Sequence, residues 1–476
     1  MYHEHKLRIL RYSMKNIWML IFPFLRGLSV WTFDPAGIYA WIRGAWLDIA
    51  VLGIILLYGY IRWYCSRITI TDDAIIHTEG CFVVIERTIP FESISVSSTE
   101  RVFYLIPLKA TILRCETRAG FFKSTDLSLM VSDSLGREIM SNIPGIDHKN
   151  KIKNIPEPDI KSIMLFSVFF SSGFSGAVYI ATFFFKGGEI TRDIIELSLS
   201  RITETTEMIY SRLLIGIPKI AVITGLFFLS AWFLSFFMNV TRYARFRISA
   251  DRRYYDIVCG LFKRRRYKIK VQHINYTDIR QNIIMKLCRA FSVNISCPGY
   301  GSNSYLPVLI PLRNGDSIGG EFWSDGVVLD EKPQYRPKKS AFVSYAGIPA
   351  ILTVIMPVLY RLAERLFPDT GELIVFIFIM AEIPCIWFTA VKTVALNTTG
   401  LSVYGDKIVI RCSKWTSFHT VIAKKNHIAL IQIKQNIFQK FFRKCSVVIW
   451  LNGESKSRYT IKSLSEKIIN ECELFN

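Results

Sequence analysis

Residues 263–270 read KRRRYKIK, so Lys263, Arg264, Arg265, Arg266, Lys268 and Lys270 place six cations within eight positions. The chemistry open to such a run is electrostatic. Each basic side chain held at an anionic bilayer surface contributes about 1 kcal/mol, and the effect decays within a Debye length. The run begins 25 residues after Met238, where a long apolar stretch ends, which keeps it within reach of lipid headgroups. The competing reading is a solvated charge run on a strand edge, where cations block edge-to-edge pairing. Both readings stand at this point.

A second set of residues recurs. Residues 273–295 and 427–449 align without a gap and share His273/His427, Gln281/Gln435, Asn282/Asn436, Lys286/Lys440, Arg289/Arg443 and Ser292/Ser446. Repetition at this spacing means one structural unit used more than once. Asn and Gln side chains bond free backbone groups where a strand turns into a short helix. A structural role is therefore favoured over ligand binding for Gln281, Asn282, Gln435 and Asn436. His273 and His427 read as polar residues at a strand end.

Two ionisable groups fall inside apolar stretches: Arg26 and Glu382. An intramembrane charge is a functional hypothesis by default. Arg26 reads more simply as snorkelling toward an interface. Glu382, beside the helix breaker Pro384, suggests a packed polar contact or a groove between helices. No HExxH, GxSxG or Walker loop occurs, and the ten Cys form no CxxC. His419, His427, Cys412 and Cys445 lack the tight paired spacing of a structural zinc site. We expect no catalytic residues, no metal and no cofactor.

The elements that must carry these residues follow from hydropathy. The mean hydropathy is +0.28, with 51% hydrophobic residues and a net charge of +21. Six apolar segments lie near 17–33, 47–64, 162–185, 217–238, 341–360 and 373–392. Each is near the roughly 17–25 residues that cross a bilayer as a helix. Residues 242–289 hold 14 basic and 3 acidic residues, against 4 and 5 in the loop 186–212. The positive-inside rule then places both termini and the three long polar parts in the cytosol. Nucleic-acid binding ranks well below, because membrane anchoring already accounts for the charge.

Each polar part opens with a β-like stretch: RITIT at Arg67, RFRIS at Arg245, ALNTTGLSVY at Ala395. Gly80, Gly260 and Gly405 punctuate the strands that follow. Amphipathic helices are expected near 128–142 and 463–474, and none at the end of the second copy. The segment 186–212 reads equally as an outer-leaflet helix or a polar loop. The expected fold is an α+β membrane protein with six transmembrane helices in three hairpins. A small cytosolic barrel or sandwich of about seven strands, closed by a helix, follows each hairpin. The boundaries are hairpins over 1–64, 160–239 and 340–392, and β domains over 65–145, 240–335 and 393–476.

This unit resembles the bacterial pleckstrin-homology-like (PH-like) domain family, and more narrowly the YdbT-like membrane proteins, which carry such units in tandem. The matching residues are Ile279 to Ile283, Ile433 to Ile437, and Tyr459 to Glu466. In the first copy Glu100 and Arg101 replace the Gln-Asn pair, with one residue of slack. The resemblance implies PH-like barrels and a cell-membrane protein tied to envelope stress and resistance to membrane-active peptides. It also implies a smaller one-unit paralogue as hetero-partner. The expected function is non-enzymatic, with PH-like domains contacting anionic lipid and protein; no small-molecule substrate is assigned. The alternative is a transporter or lipid-handling protein whose polar path runs past Arg26, Lys219 and Glu382.

Overall fold

The computed structural model describes residues 2–13, 46–81, 83–118, 126–143, 153–154, 158, 160–170, 219–250, 253–288, 290–298, 309–313, 332–367, 371–453 and 457–467. These residues form two compact units. Unit 1 comprises Met1–Asn154, Ile248–His273 and Cys297–Asn303; unit 2 comprises Ile155–Arg247, Ile274–Ser296 and Ser304–Asn476.

Unit 1 contains two sheets. The first has the order β1-β2-β3-β4, with β1 Tyr2–His3, β2 Arg67–Ile70, β3 Ala74–Glu79 and β4 Ile85–Pro90. Helix α1, Trp46–Tyr64, leads into it, and the Trp63 indole N–H donates to the Glu4 carbonyl at 2.7 Å. The second sheet begins with β5 Ile94–Val102, β6 Ala110–Thr117 and β7 Leu127–Ser132. Alternation along β6 and β7 turns Leu113, Cys115, Leu127, Leu129 and Val131 inward. They meet Ile68, Ile75 and Ile89 of the first sheet. Helix α2, Asp133–Asn142, closes this core with Leu135, Ile139 and Met140. Ser132 caps it, its hydroxyl accepting from the Leu135 N–H at 3.4 Å.

The second sheet does not end with β5. Its order is β7-β6-β5-β11-β10-β9-β8, with β8 Lys153–Asn154, β9 Arg247–Ala250, β10 Tyr254–Cys259 and β11 Lys263–Lys270. Taking each apolar pair with the polar part that follows it as one segment of the chain (1–145, 160–335 and 340–476), strands of the first and second segments thus join edge to edge, β5 against β11. The β3–β4 and β10–β11 connections turn on Gly80 and Gly260, at φ 111° and 99°. A side chain there would collide with the Val83 and Lys263 carbonyls, so both turns require glycine.

Unit 2 repeats the device. Its six-stranded sheet has the order β14-β13-β12-β17-β16-β15. These are β12 Tyr276–Asn282, β13 Ala290–Ser296, β14 Leu309–Arg313, β15 Gly400–Tyr404, β16 Lys407–Lys414 and β17 Ser417–Lys424. A separate sheet holds β18 Ile428–Lys434, β19 Lys444–Leu451 and β20 Ser457–Ser465. Between the two sheets lies a core of Ile408, Ile410, Val421, Val447, Ile449 and Ile461. Helix α3, Ile160–Phe170, meets α4, Lys219–Tyr243, through an edge-to-face contact of Phe166 and Tyr243 at 4.9 Å.

The two joints share one register. Lys263 stands opposite Val102, and Ser417 opposite Asn282. The His273/His427 frame makes Lys263 the counterpart of Ser417. Val102 is then the counterpart of Asn282, and Arg101 that of Gln281. The expected Glu100-Arg101 pair shifts by one residue.

The expected fold class is overturned. Among the described residues two helices are long and apolar enough to cross a membrane, Lys339–Leu366 and Ile377–Thr398. The other described residues include the twenty strands of four sheets. Apolar content alone misled the sequence reading. Length and hydropathy do not by themselves make a span, since the core helix of a soluble protein passes the same test. The third apolar stretch, 162–185, is described as helix only over Ile160–Phe170. The first apolar stretch, 17–33, with Arg26, and the stretch 186–212 lie outside the described residues. Residues 128–132 and 463–465, read as helical, are strand, and helix begins at Asp133 in one case and at Glu466 in the other.

The helices α6, Phe342–Leu366, and α7, Gly371–Thr398, form an antiparallel pair. The Thr353 and Thr389 hydroxyls lie 3.4 Å apart across the pair. One residue separates the end of α7 from β15.

Candidate functional site

The basic run forms β11, a strand with neighbours on both sides. Lys263 contacts the Glu100 carboxylate, which also receives Arg114 at 3.3 Å and Arg265 at 4.0 Å. Arg266 forks onto Asp256, with Nε at 3.0 Å and Nη2 at 2.6 Å. That hydrogen bond pushes the Arg266 pKa up. Lys268 donates to the Met140 carbonyl, and Lys270 to the Glu92 carbonyl at 3.1 Å. Burial lowers the pKa of Lys263 and Lys268. Arg264 is exposed and makes no ion pair or hydrogen bond among the described residues. Five of the six cations are therefore engaged within unit 1.

The Gln-Asn pairs bond backbone. Gln281 donates to the Ala290 carbonyl at 2.9 Å, and Gln435 to the Lys444 carbonyl at 2.9 Å. Asn282 caps the short helix α5, Ile283–Leu287, accepting from the Met285 N–H at 2.7 Å. Asn436 caps α8, Ile437–Phe441, accepting from the Gln439 N–H at 2.7 Å in a reciprocal capping box. His273 sits buried in a 3-10 turn, its Nδ1 3.0 Å from the Ser95 hydroxyl. Burial lowers its pKa. His427 occupies the equivalent turn, where its carbonyl accepts from the Asn452 N–H at 2.9 Å.

A cluster at the second joint escaped the sequence reading. Asp278 is 1% exposed and holds the His419 Nδ1 at 3.0 and 3.1 Å and the Arg280 Nε at 2.7 Å. Tyr276 reaches the Ser457 hydroxyl at 2.6 Å, and Lys414 lies 3.9 Å over the Tyr459 ring. Burial raises the Tyr459 pKa and lowers that of Lys414. The available signal was Asp278 itself, the lone acid between Asp256 and Asp316 in a strongly basic stretch. His419 faces this carboxylate. Among the described residues no three His, Cys, Asp or Glu side chains are grouped as metal ligands would be.

Two further features sit on the helical pair. Glu382 lines a cavity of about 340 Å³ with Met356, Pro357, Tyr360, Phe378 and Ile379. At the end of α7, Lys392 donates to the Trp415 carbonyl at 2.8 Å, and Phe388 lies 6.5 Å from the Trp415 ring. Trp415 is 81% exposed at the β16–β17 turn. An exposed indole and an ammonium at the end of an apolar helix are the usual residues of a bilayer interface.

Residues 20–142 and 211–318 match the family model of the bacterial PH domain. The match supports a bacterial PH-like domain protein. PH-like regions of this kind suggest interaction with membrane surfaces or with proteins, and the two apolar helices point to membrane association. No curated protein and no solved structure matches the chain. The joint β5–β11 links strands that lie in the two matched PH-like regions.

Proposed function

We propose that this chain is a non-catalytic PH-like protein of the bacterial cell membrane that works at the cytosolic bilayer surface in envelope defence. The observation that carries the reading is the short tether. Helix Ile377–Thr398 is apolar enough to cross, and it enters β15 with exposed Trp415 beside Lys392 at its foot. On this reading residues 393–476 are a third PH-like unit, held flush against anionic lipid. Of the basic run, Arg264 is the cation left for a headgroup. Lys263, Arg265, Arg266, Lys268 and Lys270 are committed to protein partners. A smaller one-unit relative remains the proposed hetero-partner.

The test is survival of a deletion strain challenged with pore-forming peptides. The intact chain restores survival; Trp415→Ser with Arg264→Gln restores less at equal membrane abundance. A deletion strain that survives as well as its parent removes the envelope role. A second reading, lipid handling, is favoured by Glu382 in its apolar cavity. It predicts that Glu382→Gln alone abolishes rescue.

A further inference from the structure

Each segment ends its first sheet in one kind of strand and begins its second in another. β11 and β17 are the first kind, and each is covered by the strand before it in the chain of joints, β5 and β12. The counterpart of β11 and β17 in the first segment is β4. The counterpart of β5 and β12 in the third segment is β18. Among the described residues both are sheet edges: β4 pairs with β3, and β18 with β19. Their burial agrees, since five of six residues of β4 and five of seven of β18 are exposed.

The helix after each joint strand shows the same contrast. In the second segment Ile283, the first residue of α5, packs against Val391, Ala395 and Phe418, with Val394 beside them. Its counterpart in the third segment is Ile437, which is 86% exposed; Phe441, in the same helix, is 83% exposed. The matching seat in the first segment is open as well. Counted through the paired strands, Phe418 corresponds to Val84, and Val391 and Val394 to Tyr58 and Ile61. Those three residues are exposed at 64%, 54% and 44%. An unpaired strand edge flanked by exposed apolar side chains is a template for another strand.

We propose that β18 and α8 of one chain dock on β4 and α1 of a second copy, forming a third joint between molecules. Among the described residues both halves of a joint that the chain already makes twice lie open, which selects a second copy as the occupant. The shared register sets the pairing: Ile85 opposite Lys434, Arg87 opposite Gln432, Ile89 opposite Leu430. Ile437 enters the seat of Val84, Tyr58 and Ile61. The contact joins unlike surfaces, so copies add head to tail.

The experiment uses the full chain purified in detergent, in two differently tagged populations. Gln432→Cys in one and Arg87→Cys in the other form a mixed disulfide under mild oxidation, since directly opposed strand residues lie within disulfide reach. Arg67→Cys, on a strand away from that edge, does not. Ile437→Asp with Phe441→Asp abolishes the crosslink and lowers the mass from light scattering to that of a monomer. Both positions are exposed, so the fold persists, which circular dichroism checks. A monomer at every concentration overturns the proposal, as does a crosslink of equal yield with Arg67→Cys. An oligomer unaffected by the double Asp variant also overturns it.

Discussion

Asp278→Ala lowers the stability of unit 2 by about 3–5 kcal/mol, the usual cost of removing one partner from a buried ionic group. Burial alone would raise the Asp278 carboxyl pKa. The hydrogen bonds and charges of His419 and Arg280 outweigh it and hold that pKa below the ordinary value. Without the carboxylate, Arg280 and His419 face each other across β12 and β17 with nothing between them. Amide exchange along β17 reads the loss directly. Protection falls by roughly two to three and a half orders of magnitude at about 1.4 kcal/mol per tenfold. The same site makes unit 2 acid-sensitive, and the sign follows from the lowered pKa. Its stabilisation is complete above the unfolded value of about 3.9. It is lost as pH falls through the lower folded value, because the unfolded chain then binds the proton first. Asp278→Asn flattens this acid limb; an unchanged limb rules Asp278 out as its source.

Glu100→Ala loosens the first joint by about 2–3 kcal/mol. The carboxylate is buried, and its loss leaves Arg114, Lys263 and Arg265 crowded around an empty position. The expected figure is lower than for Asp278 because these cations are themselves partly exposed and water takes up some of the loss. Lys263→Ala costs at most about 1 kcal/mol, as one exposed ion-pair partner does. Limited proteolysis between β10 and β11 separates the outcomes: Glu100→Ala is cut faster than wild type and Lys263→Ala hardly so. Equal rates for the two variants contradict the assignment of Glu100 as the hub.

The repeat and its turns were legible in the sequence. Gly80, Gly260 and Gly405 all adopt positive φ, and the Gln-Asn pairs mark two equivalent strand-to-helix corners. Strand partnership was not legible. The residues of β11 alternate as any sheet strand would, and nothing local distinguishes an edge from a strand paired on both sides. Only the neighbour decides, and β5 lies in another segment. The same limit explains the helices. Ser128–Ser132 fits a helical period as well as a strand period, and short apolar runs are ambiguous between the two. Asp278 was passed over because a buried carboxylate is defined by its partners, and His419 is 141 residues away.

The joints set an order of events on the ribosome. Val102 and Lys263 are opposed in the finished sheet but 161 residues apart in the chain. At roughly 5–20 residues per second, β5 waits about 8–32 s for its neighbour to be synthesised. During that interval the first segment has a completed core and an uncovered strand. The nascent protein is then most exposed to wrong partners, including β5 of a neighbouring nascent chain on the same message. Slower translation between β7 and β11 lengthens that exposure without changing any contact in the mature molecule.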